Sequence, residues 1–318
     1  MRVALSVRSF VFILSLGGAA ALAQSQPGDT TPTLPETNVV AEPTAPAPPQ
    51  VPNPDQIRIP SVLQGTVFQA PPVNGYNAET STVGTMVNMP KQYFPGTIDT
   101  VTRDVINNQQ VLFMDDLIRD IPGAVKAYGG DGVIRMDQFF VRGFEVTSQN
   151  WRKDMYLDPT FVPRDPATIE RLDVLKGPSS VLYGAAQPAG TFNITTKRPT
   201  ADPFATAGFM TGSFGLQRYT IDANSAVTAD KSVLVRVNAA YQDNYSYRAT
   251  VFNEREFVAP VVSWALDDDT SLTWAGEYQH DVFRLDQGIP AINGNPFAIG
   301  SNVFTGDPNG DTANYYSY

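Results

Sequence analysis

Ile169-Glu170-Arg171-Leu172-Asp173-Val174-Leu175-Lys176-Gly177-Pro178-Ser179-Ser180-Val181-Leu182-Tyr183-Gly184 is the stretch whose reading decides the fold. Its first half, Ile169 to Lys176, reads as a short apolar strand, and Gly177 suits the tight turn that ends it. Val133 to Arg142 before it and Thr191 to Lys197 after it read as further short strands. Upstream, Thr102 to Gln110 carries Asp104 in its first turn. Met114 to Ile121 carries Asp115 and Asp116 near its start and Pro122-Gly123 as its stop, so both read as short helices. Glycines at the joints, Gly143, Gly184 and Gly190 among them, fit sharp turns and close backbone approach. Residues 61–200 therefore read as one compact α+β domain.

From Phe204 the pattern changes to alternating strands. Val233, Val235, Val237, Ala239 and Tyr241 point one way, Arg236, Asn238 and Gln242 the other. Arg218 to Val227 and Ser271 to Val282 repeat the alternation; Phe204 to Phe214 and Arg255 to Ala265 show it more weakly. These make about five strands of roughly ten residues, the length a tilted strand needs to cross a bilayer. Gly215-Leu216-Gln217 and Asp267-Asp268-Asp269 read as tight turns, Asp243 to Glu254 and the stretch after Asp286 as long polar loops. A soluble β-sandwich with one wet face would alternate in the same way. Strand length, Tyr and Trp near strand ends, and an export signal favour the membrane barrel.

That signal is at the N-terminus. Arg2 and Arg8 precede the apolar run Phe10 to Leu16, and Ala21-Leu22-Ala23 supplies a small-x-small cleavage pattern, so residues 1–23 read as a signal peptide. The run is too short to span a bilayer as a helix. Residues 24–60 are rich in Pro, Thr, Ala and Gln, bury little apolar surface, and read as an extended tether. One β-prone patch, Glu36-Thr37-Asn38-Val39-Val40-Ala41, interrupts it. There is no cysteine, which excludes a disulfide scaffold and thiolate chemistry. The formal net charge of -10 argues against nucleic acid, whose phosphates demand a basic face.

Two stretches of the α+β domain, Phe140-Val141-Arg142-Gly143-Phe144 and Ile169 to Gly184, resemble the signature stretches of the TonB-dependent receptor plug, and Asn193 to Pro199 resembles the plug's last strand. Leu157 through Pro199 looks most like ferric-siderophore receptors of the ferrichrome and coprogen type. Two positions depart from the pattern: Ala189-Gly190 stands for the usual Gly-Gly, and Leu157-Asp158-Pro159 for the usual Asp-Gly hairpin. The resemblance implies a plug inside the polar lumen of a 22-stranded outer-membrane barrel facing lipid. Arg142, Glu170, Arg171 and Asp173 would pair with one another or with the wall, and Gly143, Gly177 and Gly184 would make sharp turns. Glu36 to Ala41 resembles the TonB box, an extended peptide that adds a strand to TonB, itself energised by an inner-membrane complex. Ligand contacts in the family come from plug apices facing the outside and from barrel loops. Here the apices are 128–131, 148–153 and 160–164, with Tyr128, Gln149, Trp151, Arg152, Phe161 and Arg164 suited to a bulky anionic iron chelate.

Enzymatic readings find little support. The one histidine, His280, lies near a strand end with nothing in the sequence to place it in a catalytic group with a Ser and an acid, and no phosphate-binding Gly loop follows a strand. Iron would arrive inside its chelator, so no cofactor and no protein metal ligands are expected. About five strands cannot close a barrel, so the chain is expected to be a fragment or truncated gene product. The final Asn314 to Tyr318 is aromatic but does not alternate as a closing strand would, and reads as part of an external loop. Cobalamin, haem or a glycan as cargo, a stand-alone plug acting as a periplasmic binding module, and a passive porin remain as alternatives.

Overall fold

The computed structural model describes residues 72–126, 137–158, 163–177, 179–184, 188–286, 288–295, 298–310 and 312–317. The signal segment, the tether, Glu36 to Ala41, Tyr128 and Phe161 lie outside the described residues.

Ten short strands come first: β1 (Thr80–Ser81), β2 (Met89–Pro90), β3 (Thr97–Thr102), β4 (Ala124–Lys126), β5 (Phe139–Val141), β6 (Phe144–Glu145), β7 (Trp151–Lys153), β8 (Tyr156–Leu157), β9 (Ile169–Lys176) and β10 (Thr191–Thr196). The main sheet runs β3-β9-β10-β7-β8, with β10 and β7 parallel and the other neighbours antiparallel. Its centre is the strand that opened the sequence reading. Arg171 pairs with Thr195 and Ile169 with Thr196, leaving Glu170 as the extra residue of a β-bulge. The bulge resets the alternation, so Ile169, Leu172 and Val174 all enter the core, with Phe139, Trp151 and Phe192.

Helix α1 (Arg103–Asn108) starts where the Thr102 hydroxyl accepts the Val105 N–H. In α2 (Met114–Leu117) the Asp116 carboxylate accepts the Leu112 and Phe113 N–H groups, and a 3-10 turn continues it through Asp120. A third short helix, α3 (Ser180–Tyr183), was not foreseen in the sequence. Gly190 has φ 111°, and a Cβ there would collide with the Leu175 carbonyl oxygen, so the second Gly of that pair is the one the fold requires. Ala189 is itself in the core.

The remaining strands form a wall: β11 (Phe204–Thr211), β12 (Gln217–Ala226), β13 (Val233–Tyr245), β14 (Phe252–Ala265), β15 (Ser271–Ala275), β16 (Tyr278–Arg284) and β17 (Thr312–Ser317). All neighbours are antiparallel, and β15 and β16 both pair with β14. The β14–β15 and β14–β16 pairings share one register, interrupted where Pro260, which has no N–H, faces Gly276. Ser271 to Arg284 is thus one strand with a gap in its ladder. Two expectations change. Asp243 to Glu254 is no long loop, because β13 and β14 extend through it and leave only residues 246–251 as the turn. The end of the chain is strand: β17 pairs with β16, and Tyr316 stacks on His280 with ring centroids 4.2 Å apart.

The wall is two-faced. Phe209, Tyr219, Ile221, Val237, Tyr241, Val258, Trp264, Leu272 and Trp274 are exposed on the outer side. The register places Phe209, Tyr219, Tyr241, Glu256, His280 and Tyr316 in one cross-strand row. Along β14, Trp264 lies eight positions beyond Glu256, about 26 Å along the strand or about 20 Å of height at a tilt near 40°, most of the roughly 25 Å apolar band of an outer-membrane barrel. The other face carries Arg218, Asn224, Asn238, Gln242, Asn253, Arg255, Gln279 and Asp281, all buried.

Candidate functional site

Buried charge on the wall has to be matched, because an unpaired ion out of water is costly. The match comes from the α+β domain, and Pro163-Arg164-Asp165-Pro166 supplies its centre. Flanking prolines stiffen this segment, and its two charged side chains point in opposite directions. Asp165 faces the wall. Arg218 donates to both its carboxylate oxygens, at 2.6 and 2.9 Å, and Arg255 reaches it at 3.4 Å. Arg255 is held again by Asp281 at 2.6 Å, and Gln279 donates to the Pro163 carbonyl. Burial pushes the Asp165 carboxyl up, but Arg218, with Arg255 and the Ala167 N–H, outweighs it and holds the group below the usual carboxylate range.

Arg164 faces inward. It donates to Asp137 and to Asp158, both at 2.9 Å, and its guanidinium lies over the Trp151 ring, 4.3 Å from the centroid. Burial raises Asp137 to about 6 despite that partner. A second seam lies at the end of β10. Lys197 donates to Asp222 at 2.7 Å and to Asn238 at 3.1 Å, while Arg236 clasps the same Asp222 with two hydrogen bonds of 2.8 Å. Arg236 also donates to the Arg198 carbonyl, and Asn224 to the Thr200 carbonyl. Lys153 pairs with Glu277. Among the described residues these pins are ion pairs and hydrogen bonds, and the small cluster Ala167, Ala240, Phe257 and Ala259 adds apolar packing across the seam.

The residues singled out from sequence divide. Arg171 pairs with Asp173 at 2.8 Å and donates to the Thr80 carbonyl, so it stitches the domain together rather than reaching the wall. Arg142, at φ 51°, is exposed and donates to Thr97; Glu170 is the bulge residue. Gly143, Gly177 and Gly184 all have positive φ, as sharp turns require. Three of the proposed ligand contacts are turned inward. Trp151 is 1% exposed, because parallel pairing of β7 with β10 stacks it on Phe192 inside the core. Arg152 is turned in to the carbonyls of Gln149, Trp151 and Tyr183. Arg164 is engaged by two carboxylates. Gln149 remains exposed at the surface. The hairpin is also relocated: it turns at Asp154-Met155, both at positive φ, and not at Leu157-Asp158-Pro159.

Sequence reasoning missed Asp165, Arg255 and Asp281 as a group. The available signal was a charged pair between two prolines opposite arginines on the polar side of two alternating strands.

A domain stitched by such pins to strands with an apolar outer face is the arrangement of a plug against its barrel wall. The family model of the TonB-dependent Receptor Plug Domain matches residues 90–191. The chain carries a TonB-dependent receptor plug domain. The metal-pseudopaline receptor of Pseudomonas aeruginosa is 31% identical over 237 residues, covering 74% of this chain and 33% of the relative. The ferrichrome outer membrane transporter/phage receptor of Escherichia coli is 27% identical over 211 residues, covering 64% and 28%. Among solved structures, the ferripyoverdine receptor of Pseudomonas aeruginosa bound to ferripyoverdine aligns with a TM-score of 0.59 at 26% identity, covering 64% of this chain and 28% of that one. The ferric-catecholate import receptor of Escherichia coli gives 0.59 at 28%, covering 63% and 28%. The chain spans about a third of the length of the curated relatives it matches. In receptor terms, β1–β10 are plug, β11–β17 are barrel strands, and the Pro163–Pro166 segment is a pin between them.

Proposed function

We propose that this chain serves a receptor that binds a ferric siderophore at the cell surface and carries it across the outer membrane. TonB would supply the work by adding Glu36-Thr37-Asn38-Val39-Val40-Ala41 as a strand to its own sheet. The observation that carries this reading is the seam itself. The plug is held to the wall by buried ion pairs and hydrogen bonds rather than by a continuous apolar core, contacts that water can replace once the plug moves off the wall and the seam opens. A passive porin needs no such part. A stand-alone plug is disfavoured for a related reason: without the wall, the buried Asp165 and Lys197 lose the partners that justify their burial. That the relatives are receptors for metal-pseudopaline, ferrichrome and ferripyoverdine supports ferric or other metal chelates over cobalamin, haem or a glycan. Residues 1–23 fit export of the chain to that membrane. Gln149 is a candidate ligand contact, as are Tyr128 and Phe161 by their chemistry.

The test is uptake of radiolabelled iron chelate by cells carrying the complete receptor with Val39→Pro, which removes a backbone donor and cannot complete the strand pairing. Binding at the surface should persist while uptake stops. Unimpaired uptake refutes the coupling role of this segment, and failure to bind any ferric siderophore refutes the cargo class.

A further inference from the structure

Between α1 and the first three wall strands lies a cavity of about 440 Å³, within the range of small-ligand sites. Its charged lining is uneven: Arg103, Lys197, Arg218 and Arg236 against Glu170 and Asp222. Arg218 is answered from its far side by Asp165. Lys197 and Arg236 share the single carboxylate of Asp222. That leaves Arg103, Lys197 and Arg236 to be balanced by Glu170 and Asp222, a surplus of one positive charge in a confined space. Lys197 registers the surplus: burial and the charge of Arg103 bring its ammonium down to about 8, against the pull of Asp222. Thr206, Thr220 and Asn107 add hydroxyl and amide groups to the lining.

We propose that this cavity is an inner binding site for a small solute bearing anionic oxygens, carboxylate or phosphate, lying between plug and wall and separate from the plug apices. An anion there would supply the missing negative charge and bond to Arg103 and Lys197, as charge-assisted hydrogen bonds favour. The site's place on a transport route rests on the function proposed above; its charge preference does not, and is tested without uptake.

The chain has no cysteine, so Asn107→Cys puts a single thiol on the lining. The full chain in detergent micelles is treated with an anionic methanethiosulfonate (sulfonatoethyl) and a cationic one (trimethylammonioethyl). Ala229→Cys, on an exposed turn, serves as the reference. The anionic-to-cationic rate ratio should exceed the reference by about tenfold, as a focused positive potential gives. Lys197→Gln should lower the ratio and Lys197→Arg preserve it. Met210→Glu, which places a carboxylate on the lining, should invert it and serves where Lys197→Gln folds poorly. The charged groups acting on Lys197 are Arg103, Asp222 and Arg236. The ratio should therefore fall as pH rises through about 8 with Lys197 but not with Lys197→Arg. Tricarballylate or inorganic phosphate, at millimolar concentration, should slow labelling, and whichever protects identifies the oxygen class. A ratio equal to the reference, or protection by neither anion, overturns the proposal. Loss of uptake in Val39→Pro with this selectivity intact leaves it standing.

Discussion

Asp165→Asn isolates the charge that joins plug to wall. Asparagine keeps the shape and leaves an acceptor for the Ala167 N–H, now 2.8 Å from the carboxylate. The two guanidiniums facing it differ in what remains. Arg255 keeps Asp281 at 2.6 Å, whereas Arg218 keeps only the neutral Gln242 oxygen at 2.7 Å. Arg218 is 4% exposed, so its charge cannot turn to water. Breaking a buried pair from one side costs about 3–5 kcal/mol, and the bidentate geometry places this loss within that range. Arg218→Met alone should cost a similar amount, since it strands Asp165 with the distant Arg255. The double variant removes both halves and should lose at least about 2 kcal/mol less than the sum of the singles, as coupled neighbours do. Trp151 reports on the plug core if Trp264 and Trp274, the other two tryptophans, are replaced by Phe. Urea titration of the purified chain in micelles, followed by Trp151 emission, gives the three free energies. A loss below about 1 kcal/mol for Asp165→Asn, or strict additivity, refutes the pin.

In vesicles of brominated lipid, Trp264 and Trp274 should lose most of their emission while Trp151 keeps it; equal quenching of all three would deny the wall its lipid-facing side. Asp137 has a folded-state value raised to about 6, so the folded chain holds a proton there that the unfolded chain releases near 4. Its contribution is therefore complete below about 4 and lost as pH climbs through about 6; Asp137→Asn should flatten stability across that window, and an unchanged slope in urea titrations would contradict it. Met155 sits at φ 73°, a left-handed conformation costing a non-glycine residue about 1–2 kcal/mol. Met155→Gly should be close to neutral in urea titration, relief of strain offsetting the lost sulfur contacts with Thr82 and Tyr183, whereas β-branched Met155→Ile should be clearly destabilising.

The parts legible in the sequence were those written in a local period. Val233 to Gln242 declared its two faces because neighbouring residues alternate, and the helix after Thr102 declared its start because its cap is adjacent. The reading failed where polarity changes meaning. Asp243, Asn244, Asn253 and Glu254 looked like loop, yet they lie on paired strands, Asn244 and Asn253 on the inner face and Asp243 and Glu254 above the outer apolar band. Tyr315 and Tyr316 hid β17 because aromatics fall on both of its faces. Trp151 and Arg152 have the chemistry of a ligand site, but three residues of parallel pairing with β10 turn them into the plug. No local pattern announces such a pairing. The same holds for the pins. Asp165 meets Arg218 and Arg255, 53 and 90 residues away, and which acid answers which arginine depends on how the plug seats in the wall. Periodicity assigns a side chain to a face; only the packing of two separately formed units assigns it a partner. The pairs that join plug to wall are non-local in this sense, so the residues that make them are the ones a single sequence exposes least.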